Sequence, residues 1–346
     1  MKTKSAYLFA VLAIPLTLGL AAVADDVSFH PAKDVKSQKE LRIEGEFRVK
    51  EAAFTVNGEP MPGEMLEQIT SQEMLLSIAI DATETFLATK DGSPTDLLRS
   101  YDKMETKVEI GDQSESPKKA NELEGKVVRF QWDDKASEFK KSFHESKGDD
   151  ALLEQLIDDM EVRAMLPAKK VAQGDTWEVD AEHMTALFFP GGIAGGADDS
   201  AGEGPDMDAM GKEMAKQMEE AFKEFKVACT YKGARDAAGT RVGEIAFTYD
   251  GKASLDLDSI LRQVQDAFGG EGAPQMEFTT SATLSLKGDG VLLWDLATGV
   301  LHSYEMKSNL GLDVSIQVHA EQDGQQFEVS LSGSLGGDVT WELARK

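Results

Sequence analysis

The chain reads as an α+β fold: one large, curved antiparallel sheet of half-barrel type with a few covering helices. Three observations predict it. Strict apolar–polar alternation recurs in many separate stretches. Gly-bearing turns punctuate the C-terminal third at short spacing. Few stretches carry helical periodicity.

The first 24 residues have the parts of a secretory signal. Lys2 and Lys4 give a positive start, an apolar run follows from Ala6 to about Leu20, and Ala22-Val23-Ala24 precedes Asp25 as an A-x-A cleavage site. Pro15 and Gly19 interrupt the run, which leaves it short for a bilayer span. The segment has no cysteine, so it is not a lipoprotein anchor. The expected product is exported, periplasmic or secreted, with no integral span left after cleavage. Removing two lysines and no acid takes the formal charge from -26 to -28. A chain so acidic repels phosphate backbones, which argues against nucleic acid as a partner. Cys229 is the only cysteine, so no intramolecular disulfide forms, and its place in FKVACTY puts it on an apolar strand face as a small buried side chain.

Residues 25–40 are charged and aperiodic and read as a loose leader. From Leu41 the alternation is clean: Leu41, Ile43, Phe47 and Val49 face one way, while Arg42, Glu44, Glu46, Arg48 and Lys50 face the other. Further strands are predicted around Met74–Ile80, Val108–Ile110 and Val128–Trp132, with a polar loop over residues 114–125. The segment DDALLEQLIDDMEVRAML predicts a helix with an acidic first turn, stopped by Pro167. A Gly174-Asp175 turn then starts a strand in which Trp177 is a core anchor. After residue 225 the pattern is a meander of short strands, with KGDG, DLATG and EQDGQQ as its turns.

Residues 41–346 therefore form the sheet domain, with two half-units at 41–180 and 225–346. KVVRFQWDDKAS (126–137) and GEIAFTYDGKAS (243–254) align without gaps, and each precedes a helix candidate, the second being DSILRQVQDAF. That echo fits either a duplication or chance likeness of two amphipathic hairpins. A Gly-rich loop and a Met-rich helix at 184–224 join the halves. Met207, Met210, Met214, Met218 and Phe222 fall at steps of three and four, and Phe188 and Phe189 precede a Pro-Gly-Gly turn. These seven residues are the ligand-lining candidates, because a Met-rich face adapts to irregular apolar partners. Plain packing of the helix on the sheet explains the same pattern.

Chemistry-bearing motifs are missing. The five histidines never fall at metal-ligand spacing, and a second cysteine is lacking. In DMDAMGKEMAKQ, methionine and glutamine stand where a calcium loop needs oxygen ligands. No nucleophile elbow, phosphate loop or dinucleotide fingerprint occurs, so no cofactor and no metal is expected and the chain reads as non-enzymatic.

The phrase LP-x-K-x-V-x-x-G-D-x-W, from Leu166 to Trp177, together with WDLATGVLHSYEM, resembles exported bacterial proteins in which such a phrase introduces a strand before a sheet half. The arrangement of signal, curved sheet and covering helices is similar to the periplasmic lipoprotein carriers of the LolA and LolB type and to mycobacterial LppX and LprG. That resemblance implies a carrier of an apolar, lipid-like molecule. The residues themselves leave three readings: a structural or protein-interaction module of the cell envelope, an apolar-ligand carrier with a cavity under the Met-rich helix, and a hydrolase without a recognisable motif. The partner is accordingly an envelope protein or an apolar small molecule.

Overall fold

The computed structural model describes residues 24–111, 113–115, 121–179, 184–192, 213, 216–217, 220–223, 225–258, 261–262, 275–322 and 325–346. The strands are β1 (Lys36–Val56), β2 (Glu59–Pro60), β3 (Glu73–Lys90), β4 (Ser93–Ile110), β5 (Gln113–Glu115), β6 (Val127–Asp133), β7 (Glu138–Phe143), β8 (Thr176–Val179), β9 (Val227–Ala237), β10 (Thr240–Leu255), β11 (Gln275–Asp295), β12 (Val300–Gln322) and β13 (Gln325–Arg345). All 13 belong to one antiparallel sheet in the order β7-β6-β4-β3-β1-β13-β12-β11-β10-β9-β8, with β2 on β1 and β5 on β4. The sheet is curved and open. β1, β3, β4, β6 and β7 form one meander and β9 to β13 another, whereas β8, expected in the first half-unit, crosses to pair with β9 at the far edge; β1 pairs with β13 from Lys39↔Arg345 to Val56↔Val329 at the centre. Among the described residues, the helices include α1 (Gly63–Thr70) and α2 (Met184–Phe188), and residues 213, 216–217 and 220–222 of the expected Met-rich helix are helical too.

The C-terminal strands are long, not short. β11, β12 and β13 run for 21, 23 and 21 residues, roughly 70 Å each at about 3.3 Å per residue. Lys287 to Gly290, expected as a turn, lies inside β11. Its glycines serve packing instead: Gly290 stands opposite Phe247 and Gly288 opposite Tyr249, and each ring covers the glycine across the strand gap. The predicted turn at DLATG does form, held by the Asp295 carboxylate accepting from the backbone of Ala297 and Thr298.

Two further expectations are corrected. Residues 25–40 are not a loose leader: Val27 and Phe29 are buried, Asp25 bridges Val171, and β1 begins at Lys36. The predicted helix over 149–166 is two 3₁₀ turns, Asp150–Leu153 and Arg163–Met165, around an irregular stretch. Its apolar residues Leu152, Leu153, Leu156 and Met160 are buried as the pattern required. Its backbone groups, however, bond to distant partners. Lys141 Nζ donates to the carbonyls of Glu154 and Leu156 at 2.7 and 2.9 Å, and Arg99 Nη1 donates to that of Ile157 at 2.8 Å. Ile157 N–H goes to Gly191, and Asp159 accepts from the N–H groups of Glu161 and Arg163. With those groups engaged, the i to i−4 ladder has nothing to close on. Replacing Asp159 with alanine is expected to destabilise the fold by about 1–3 kcal/mol in urea unfolding, since it strands two backbone donors and Arg163 Nε.

Trp177 packs against the core and donates from Nε1 to Met165 O at 3.1 Å. Cys229 is fully buried, and burial pushes its thiol up to about 12.

Candidate functional site

Alternate residues of each strand point to one face of the sheet, and that face carries the core. At one end of the long strands it is covered: Leu41 and Ile43 on β1, Trp341 and Leu343 on β13, Tyr304 and Met306 on β12, and Leu292 and Trp294 on β11 are all buried. The same apolar series continues toward the other end of the strands. Leu312 stands opposite Leu335, Ile316 opposite Leu331, Val318 opposite Val329 and Ala320 opposite Phe327 on β12 and β13, with Phe54 and Val56 of β1 beside Leu331 and Val329. Here burial gives way to exposure. Val56 is 41% exposed, Phe327 38% and Leu331 41%; Ile110, beside Met74 at the border, is 44% exposed.

Single exposed apolar side chains are ordinary on a protein surface. A cluster of them on one face of the adjacent strands β1 and β13, beside half-buried apolar residues of β12, is not. With the half-buried Ile316 and Val318 of β12 beside them, Val56, Leu331 and Phe327 form a continuous apolar strip across neighbouring strands. Near it, α1 packs on β1 and leaves a cleft of about 530 Å³ lined by Lys50, Leu66, Glu67, Thr70, Asp313 and Ser334 among others.

Two of the sequence-predicted lining residues sit together elsewhere. Phe188 stacks on Phe222 with centroids 5.1 Å apart and meets Tyr249 and Trp341 edge-on at 5.4 and 5.7 Å. Trp341 Nε1 donates to Phe188 O at 2.8 Å, and the Tyr304 hydroxyl donates to Leu187 O at 3.0 Å. Phe188 and Phe222 are buried core side chains, and Phe189 is half-buried against the same core. Met207, Met210, Met214 and Met218 lie outside the described residues. The Pro190-Gly191-Gly192 turn threads closely past residues 155–157: a Cβ on Gly192 (φ +89°) would lie 2.3 Å from Gln155 O.

Sequence reasoning missed the exposed members of the open face. Phe327, Val329 and Leu331 are legible as an alternating strand, but alternation gives a side chain's face and not what covers that face.

The charged side chains that the fold brings together form a lock. Lys39, Glu84, Arg99 and Glu161 are fully buried under the first half-unit. Arg99 holds one Glu84 oxygen through Nε and Nη2 at 3.0 and 2.6 Å, and Lys39 contacts both Glu84 and Glu161. Glu161 also accepts from Leu301 N, tying the cluster to β12. Arg99 further binds the carbonyls of Ile157, Asp158 and Gly191. Burial pushes the Glu84 carboxyl up, but Lys39 and then Arg99 outweigh it and hold it at about 2. Glu161 moves the other way: burial, joined by the Glu84 charge, outweighs Lys39 and the Leu301 N–H and raises it. No solvent reaches these groups, so the cluster pins the 157–161 and 191 segments to β1, β3 and β4 rather than meeting a substrate.

On the opposite face, a cleft of about 690 Å³ crosses β9 to β13. Its charges lie in cross-strand order, Asp250 and Lys287 forming an ion pair at 2.8 Å, with Asn309 donating to Asp338 at 3.1 Å. Among the described residues, no group of three or more His, Cys, Asp or Glu side chains is placed to hold a metal ion, and no helix is long and apolar enough to cross a membrane.

No protein-family model matches the chain, and no curated protein matches it. Among solved structures it is similar to the outer membrane protein OprG from Pseudomonas aeruginosa, at 7% identity and a TM-score of 0.20 over 93% of this chain and all of that one. An outer membrane channel from Pseudomonas putida F1 gives 8% and 0.19 over 91% and 97% of the two chains. OccK11 (OpdR) of P. aeruginosa gives 7% and 0.19 over 94% and 100%. At such TM-scores the chains do not superpose as one fold, and the likeness carries no argument about this protein's structure or role.

Proposed function

We propose that this protein is a non-catalytic interaction module of the cell envelope, which docks a partner protein on the open end of its sheet's core-side face. One observation carries this reading: the neighbouring exposure of Val56, Phe327 and Leu331 on strands whose other halves are buried. The signal-like run at residues 1–24 supports an exported address.

A photo-crosslinking residue placed at Phe327 or at Leu331, and activated in intact envelopes, tests the reading. An adduct of protein size at both positions supports it. A lipid-sized adduct replaces it with the carrier of an apolar molecule, and no adduct at either position overturns both. The double change Phe327→Ser and Leu331→Ser is expected to shift stability by no more than about 0.5 kcal/mol per site, since both side chains are already part-exposed. The same variant should lose most binding of an environment-sensitive apolar dye.

A further inference from the structure

Residues 51–76, 275–286 and 308–334 supply the strands and the helix α1 at the open end of the sheet. They hold five, one and four Asp or Glu residues respectively, a single histidine, and no lysine or arginine. The apolar strip itself is uncharged. Across β1, β13 and β12 its rows read Phe54, Leu331 and Ile316, then Val56, Val329 and Val318. Carboxylates surround it. Glu59 is exposed and pairs with Val56 across the β1–β2 ladder, so it stands on the strip's own face. The cleft beside α1 is lined by Glu51, Glu67 and Asp313 against one cation, Lys50. Toward the strand tips, Glu277 and Glu328 flank His319 on the reverse face of the same strands.

Elsewhere on the sheet, carboxylates meet cations of neighbouring strands: Asp250 meets Lys287, Asp96 meets Arg129, and Glu244 meets Arg235. At the open end they do not. None of Glu51, Glu59, Glu67, Glu277, Asp313 and Glu328 forms a salt bridge with a described residue. Like charges left unpaired around an uncharged strip repel one another, and a cation brought from outside relieves that repulsion.

We propose, on the reading that this end of the sheet docks a protein, that the partner is basic: an apolar contact surface bordered by lysine or arginine, seated on Val56, Leu331 and Phe327. Charge excludes the competing occupants. A second copy of this chain brings a formal charge of -26, and its own carboxylates, to the same place. An anionic bilayer surface is repelled likewise. The lysines or arginines of a seated partner lie within roughly a Debye length of the carboxylates, about 8 Å at physiological salt, so the acids steer its approach and fix its sign.

Two synthetic amphipathic helices test this on the purified protein. One has a leucine face and a lysine face; the other has the same leucine face with glutamate in place of lysine. Fluorescence anisotropy should show binding of the lysine peptide and at least about a hundredfold weaker binding of the glutamate peptide. Two variants separate charge from strip. Glu59→Gln/Glu67→Gln/Glu328→Gln keeps the strip, and Phe327→Ser/Leu331→Ser keeps every carboxylate. All five side chains are exposed, so both variants retain the fold. Each should weaken the lysine peptide at least about tenfold. Equal binding of the two peptides, or wild-type affinity in the triple variant, overturns the proposal. Wild-type affinity in the double variant does so too, by seating the peptide elsewhere on the acidic surface. Photo-crosslinking at Leu331 in intact envelopes then separates the basic partner from the docking reading beneath it. The expected result is a protein adduct whose yield falls in the triple variant and whose captured peptide carries net positive charge. A protein adduct of undiminished yield, or one between two copies of this chain, keeps the docking reading and overturns the basic partner. A lipid-sized adduct, or none, overturns both.

Discussion

Replacing Glu84 with alanine is expected to cost about 3–5 kcal/mol of unfolding stability, the cost of removing one partner from a buried ion pair. The reason is the company that Glu84 keeps. Arg99 and Lys39 are fully buried, and Glu84 is the carboxylate that both contact; without it Arg99 keeps backbone carbonyls and the Phe130 ring but loses its buried counter-ion, and Lys39 keeps Glu161. Chemical denaturation at neutral pH measures the loss. A variant in which Lys39, Glu84, Arg99 and Glu161 are all replaced by apolar residues of similar volume should recover much of it, because the desolvation of four charges goes with their pairing. The pH dependence has a definite sign. Glu84 is held at about 2 against an ordinary 4.5, so its contribution, on the order of 3 kcal/mol, is present above about pH 4.5 and lost as pH falls toward 2. Glu161 is shifted upward by burial, so it favours the native state when protonated and its contribution fades as pH rises through its raised value. A Glu161→Gln variant should therefore show a flatter stability profile above pH 4.5 than the wild type while retaining the acid-side loss. An unchanged acid limb in Glu84→Ala would contradict this account.

Changing Gly290 to alanine is expected to destabilise the protein by about 3 kcal/mol, at the upper end for a single added methyl. The new Cβ would lie 2.3 Å from Phe247 Cζ and 2.4 Å from the Glu305 carbonyl oxygen. Phe247 is stacked on Tyr304 with centroids 5.7 Å apart and is buried, so it has nowhere to turn. The Glu305 oxygen is backbone in the neighbouring strand and moves only if the ladder moves. The double variant Phe247→Ala/Gly290→Ala should be no more stable than Gly290→Ala alone, since removing the ring leaves the carbonyl clash and opens a cavity. Thermal unfolding of the three variants decides it; recovery in the double variant would assign the strain to the ring.

The same glycines show where reading the sequence ran short. KGDG has the composition of a turn, and as an isolated tetrapeptide it would form one. Inside β11 its two glycines, Gly290 and Gly288, lie opposite Phe247 and Tyr249, 43 and 39 residues upstream, and their missing side chains make room for the rings. The 149–166 segment went the other way. Its apolar spacing was legible and its burial followed, but Arg99, Lys141 and Gly191 claimed the backbone groups that a helix would have used. For the candidate site, Phe188 and Phe222 were legible as apolar residues on elements near the sheet. Their place in a closed aromatic cluster depends on Tyr249 and Trp341, which no local window contains.

By itself, then, the sequence determined the antiparallel sheet and which face of each strand is apolar, because alternation is a property of neighbouring residues and of the pleat. It also determined the burial of Cys229 and of Trp177 beside the core, and the turn at DLATG, each of which rests on contacts within a few residues or on one face. The tertiary structure decided how long the strands run, which glycines turn the chain and which lie under a ring, and that Val27 and Phe29 are core. It also decided where the apolar face stops being covered. Each of these depends on partners tens or hundreds of residues away, and whether a side chain meets water is fixed only when those partners take their places.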